Sequence, residues 1–163
     1  VEVKLAESIA EDFNMTSVLV DKYNTTGYVL PSYQTLVDTE NMDPEQVFNP
    51  NTSIATDSLS FMQVEGEDAF YVYLPEYDNA NPATLSVVID GKPYSIEFKN
   101  YVDGKAAGEN YNIVRNHIYQ YTITSVTAES HVEVANVRYQ SMPWNDVNNG
   151  NLNFGNGSGD VMN

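Results

Sequence analysis

Two histidines, His117 and His131, are the residues of this 163-residue chain best suited to moving protons. A histidine base needs a nucleophile or a substrate proton within hydrogen-bond reach, and no His-x-x-x-His spacing or Gly-x-Ser-x-Gly elbow accompanies either one. The Gly155–Gly159 run, Gly-Asn-Gly-Ser-Gly, lacks the Lys and following helix that a phosphate cradle requires. Both histidines therefore read as ordinary strand-surface residues. Two acidic clusters, Asp38, Glu40, Asp43, Glu45 and Glu65, Glu67, Asp68, offer oxygens that suit calcium. Calcium takes about six to eight of them from one folded loop, and neither cluster has the EF-hand's central Gly and closing Glu, so solvated loop charge is the expectation. The absence of cysteine removes thiol catalysis, disulfides and cysteine-based zinc sites. No enzyme is expected, and no cofactor.

Aromatic residues are the other candidates. Twelve tyrosines and Trp144 would suffice for a sugar-stacking platform. Tyr71, Tyr73, Tyr119 and Tyr121, however, lie at same-face strand spacing, where aromatics pack and pair across strands, and core use is expected of them. Four Asn-x-Ser/Thr sequons, at Asn14, Asn24, Asn51 and Asn156, imply glycans only in a source that makes them.

Seven Lys plus Arg against 23 Asp plus Glu leave a net charge of −16. Nucleic acid is bound by displacing counterions with a basic surface, so that class of partner is excluded, and an anionic membrane surface would repel the chain. No apolar run approaches the roughly 18 residues of a membrane span. Val1-Glu-Val-Lys-Leu5 carries no signal-peptide pattern and starts in strand-like alternation, as expected of a mature product or a fragment of a longer precursor.

The elements that must position these residues are strands. Val1–Leu5, Met15–Val20, Gly27–Leu30, Phe61–Val64 and Phe70–Leu74 are candidates, the third ending at Pro31 and the last at Pro75. Leu85, Val87 and Ile89 share one face, and Tyr94, Ile96 and Phe98 the face opposite them, across an Asp90-Gly91 turn whose positive φ angles suit a two-residue hairpin. Residues 38–58 and Asn100–Asn110 read as polar connections. Tyr119, Tyr121 and Ile123 alternate with polar residues, and Val132 and Val134 continue the period. Val137 and Tyr139 fall on the opposite parity, so a bulge near Ala135-Asn136 is expected. The fold class is an all-β, antiparallel sandwich of about seven to nine strands. It occupies residues 1–145, followed by an Asn/Gly-rich tail at 146–163 in which Leu152 and Phe154 alone offer an apolar face.

Phe70-Tyr-Val-Tyr-Leu-Pro-Glu76, the Asp90-Gly91 hairpin, Ile113-Val-Arg-Asn-His-Ile-Tyr-Gln-Tyr-Thr-Ile123 and Met142-Pro-Trp-Asn145, in that order, resemble the fimbrillin family of Bacteroidales. These are the shaft, anchor and tip proteins of type V pili and fimbria-like structures. The resemblance is strongest over Phe70–Asn145. Val3–Ala10 looks like a degenerate form of the strand that joins the family's two domains.

The resemblance implies a transthyretin-like C-terminal domain of a secreted lipoprotein precursor, carried to the outer membrane. It implies other fimbrial subunits as partners, joined by strand exchange, and host or bacterial surface ligands for adhesion. Leu152 and Phe154 are then the candidate donor-strand anchors. Asp57-Ser58-Leu59 looks like an Asp-Ser/Thr-apolar acceptor, which makes Ser58 a candidate O-glycosylation site. The chain departs from the family in having no lipobox cysteine, and its two arginines, Arg115 and Arg138, lie far from its start, so the processing step is not located. The alternative from a different class is a secreted carbohydrate- or matrix-binding sandwich acting as a monomer.

Overall fold

The computed structural model describes residues 1–28, 48, 50–127 and 132–135, and the backbone of 138–141. Within them the chain is all-β, and no helix is long and apolar enough to cross a membrane. Alternation decides the first strand. Val3 and Leu5 of β1 (Glu2–Leu5) point into the core while Glu2 and Lys4 do not. Two overlapping turns then follow, with Ile9 and Ala10 donating to the Ala6 carbonyl and Phe13 to that of Ile9. They carry the chain across to β2 (Met15–Val20) in the second sheet.

β3 (Leu59–Ser60) pairs with β2, and β4 (Met62–Gln63) lies in the first sheet beside β5 (Ala69–Tyr71). The single strand expected at Phe61–Val64 is thus two short ones in different sheets. Buried Phe61, whose amide donates to the Val18 carbonyl, is where the chain crosses between them. β6 (Thr84–Ile89) and β7 (Lys92–Glu97) form the expected hairpin, with Ile89 opposite Lys92 and φ of 50° and 76° at Asp90 and Gly91.

Asn100–Asn110 is not a plain connection. It folds as β8 (Asn100–Val102) and β9 (Lys105–Ala107) around Asp103-Gly104, with φ of 50° and 78°. The Val134 amide donates to the Gly104 carbonyl, so this hairpin covers the edge of the first sheet. Gly27 and Tyr28 are outside any strand, and Val29–Leu30 lie outside the described residues.

β10 (His117–Val126) pairs antiparallel with both β11 (Val132–Val134) and β12 (Arg138–Ser141). Three positions separate Val134 from Arg138, whereas two separate their partners Ile123 and Gln120. The bulge expected near Ala135-Asn136 falls partly outside the described residues, and the register shift within them lies on β10 between Ile123 and Ser125.

The first sheet runs β11-β10-β1-β5-β4, with β12 beside β10, and the second runs β3-β2-β6-β7. The antiparallel sandwich read from the sequence stands, in twelve short strands among the described residues rather than seven to nine, and one pair within it, β1–β10, is parallel. Val3, Leu5, Phe70, Tyr121 and Ile123 face Val18, Val20, Leu85, Val87 and Ile96 across the core. Phe98 and Tyr101 meet Tyr121 edge-on, at 5.9 and 6.3 Å between ring centres.

Candidate functional site

The two longest segments that carried the family resemblance come together in space. Tyr77 and Ile113 exchange backbone hydrogen bonds of 3.0 Å each way. Beside them, Arg115 donates through Nε to Glu76 Oε1 at 2.9 Å and through Nη2 to Oε2 at 2.6 Å. Glu76 is buried, and this two-pronged bond raises the pKa of the Arg115 guanidinium against the opposing effect of burial. The Tyr119 hydroxyl accepts from the Val114 amide and donates to the Asn112 carbonyl, tying the 112–114 turn to β10. Buried Asn79 holds the neighbouring loop through the Tyr111 carbonyl and the Ala83 amide. Sequence reading did not find the Glu76–Arg115 pair.

This frame lies beside one end of β1. Val1 and Val72 complete the β1–β5 ladder, the Val72 amide donating to the Val1 carbonyl and the Val1 α-amine to the Val72 carbonyl, both at 2.9 Å. Burial pushes that α-amine down to about 6, with Glu2 pulling the other way. A cleft of about 260 Å³ beside Val1 is lined by Val72, Tyr73, Leu74 and 113–119. On the outer sheet face a second cleft, of about 350 Å³, lies between Val1, Val64, Tyr71, Tyr73 and Ile118, with Glu2 in its wall.

Tyr119 and Tyr121 are core residues, as expected, but Tyr71 and Tyr73 are not. The buried parity of this segment belongs to Phe70 and Val72, so the two tyrosines face outward, Tyr73 with 78% of its surface exposed. Their rings meet edge to face at 5.8 Å and 78°. The four tyrosines satisfied the same spacing rule, and only partner strands distinguish the pairs.

The remaining candidates are dispersed. Ser58 and Asp57 are exposed. Leu152, Phe154, Trp144, His131, Asn156 and the acidic residues 38–45 lie outside the described residues. His117 Nδ1 sits 2.7 Å from the Arg115 carbonyl. Glu67 and Asp68 line a surface cavity of about 680 Å³ with Lys4 and Glu7, yet no three described His, Asp or Glu side chains converge as a metal site would require. Asn24 is 1% exposed and donates its amide to the Glu76 carbonyl, so its sequon has no room for a glycan. Asn14 is exposed, and Asn51 bonds to the Thr26 hydroxyl.

No protein-family model matches the sequence, and no curated protein does. Among solved structures, the fold is similar to that of the tip fimbrial protein Mfa3 from Porphyromonas gingivalis with C-terminal truncation. The TM-score is 0.56 at 14% identity, over 88% of this chain and 50% of that one. The chain thus spans about half the length of that structure, and the likeness is one of fold.

Proposed function

We propose that this chain is a structural subunit of a bacterial surface fimbria, joined to its neighbours by exchange of β-strands. The observation that carries the reading is the position of β1. A four-residue strand occupies the interior of the first sheet between β5 and β10, held by backbone partners on both of its edges. Strand exchange at such a position gains backbone partners and apolar cover together. The similarity of fold to a fimbrial tip protein supports the same role. On this reading the chain works outside the cell, on a fimbrium attached to the outer membrane, and supports adhesion. Leu152 and Phe154 anchor the donated strand. Ser58, exposed on the approach to β3, accepts an O-glycan.

Polymer growth tests the reading. Light scattering against concentration, with electron microscopy after limited proteolysis, should show fibres for the wild type. Shorter or no fibres are expected when Leu152 and Phe154 are both changed to Ser. A chain that stays monomeric under every condition contradicts fimbrial assembly. Fibres unaffected by the double change remove the tail alone. An intact mass equal to that of the bare chain, purified from its native host, removes the glycan at Ser58.

A further inference from the structure

The outer face of the first sheet carries a second arrangement. Pairing places Tyr71 between Met62 of β4 and Glu2 of β1, and Glu2 beside Gln120 of β10. Side chains opposite each other in such a row are near neighbours. Gln120 Nε2 donates to Glu2 Oε1 at 2.8 Å, which holds the carboxylate in place beside the aromatic pair. That bond uses one of about four lone-pair sites on the carboxylate. Glu2 is the one charged side chain lining the 350 Å³ cleft among the described residues. Tyr73 stands almost clear of the fold, and half of the Met62 surface is exposed beside Tyr71.

Two aromatic faces near a right angle, with a fixed carboxylate next to them, attract a cation that is itself flat. A guanidinium stacks on tyrosine and binds a carboxylate through two parallel N–H bonds, whereas an ammonium does neither as well. The net charge of −16 draws basic partners and repels acidic ones. We propose that Tyr71, Tyr73 and Glu2 form a docking site for an arginine side chain of a basic partner polypeptide. A second copy of this chain is a poor occupant. It carries two arginines, one of them bound to Glu76.

The probe is N-acetyl-arginine amide, titrated into the isotopically labelled full chain and followed by NMR, with the lysine and citrulline analogues alongside. Saturable shifts confined to residues 1–2, 62–64, 71–73 and 118 are expected for arginine, weaker ones for lysine, and none for neutral citrulline. Tyr73→Ala and Glu2→Gln should each weaken binding by about threefold or more, with the remaining resonances unchanged as evidence of folding. Equal responses to arginine and citrulline, or arginine shifts that survive Tyr73→Ala, overturn the proposal. So does a neutral oligosaccharide that shifts these residues when arginine does not.

Discussion

Val3 lies opposite Tyr121 in parallel register, and neither residue exposes any surface. A parallel pair needs a long crossover, and the Glu2–Gln120 bond one step along the same ladder spans 118 positions of chain. A four-residue strand that closes the core is therefore paired with a partner far away in sequence. Val3→Ala should cost about 2 kcal/mol in chemical denaturation, from lost burial and an unfilled cavity beside Phe70 and Tyr121. A cost below about 0.5 kcal/mol would mean that β1 is not part of the folded core.

Buried Glu76 and partly buried Arg115 form a two-pronged ion pair. Breaking it from one side strands the other charge, so Arg115→Met should destabilise by about 3 kcal/mol. Adding Glu76→Gln to that variant should return part of the loss. The denaturation midpoints of the two single variants and the double variant measure the coupling.

Two neighbouring phenols on β10 differ in their partners. The Tyr119 hydroxyl is satisfied on both sides, whereas the Tyr121 hydroxyl is buried with no hydrogen-bond partner, and burial holds its pKa well above the ordinary value. Tyr119→Phe should cost about 1 to 2 kcal/mol, and Tyr121→Phe should be neutral or stabilising. Equal losses at the two positions would show that Tyr121 has a partner after all.

The α-amine of a polypeptide beginning at Val1 gives a pH dependence. Its pKa is lowered from 8.0 to about 6, so between those values the unfolded chain binds the proton that the folded chain has shed. Stability should rise as pH climbs from about 6 to 8, by on the order of 2 kcal/mol, and the penalty on the folded state is complete below 6. Acetylating the amine should flatten this part of the curve. A flat curve before acetylation contradicts the burial of Val1.

Much of the fold was legible from local pattern. Alternation placed Val3 and Leu5, and Asp90-Gly91 placed the β6–β7 turn. Asp103-Gly104 carries the same turn signal, but its flanks, Tyr101-Val102 and Lys105-Ala106, are too short and mixed to alternate visibly. What pattern does not encode is which strand comes next in the sheet. Tyr71 and Tyr73 look like Tyr119 and Tyr121 until β5 is seen to bury Phe70 and Val72 instead. Glu76 and Arg115 are 39 positions apart, and no local rule pairs them. The sequon at Asn24 likewise reads as surface until the Glu76 carbonyl is found against its amide.

The most direct measurement is photo-cross-linking from β10, the neighbour of β1. With p-benzoylphenylalanine in place of Ile118, assembled fibres should yield a cross-link to a peptide of a neighbouring subunit, identified by mass spectrometry and absent from the monomer. Fibres in which Ile118 cross-links only within its own chain would contradict strand exchange at this site.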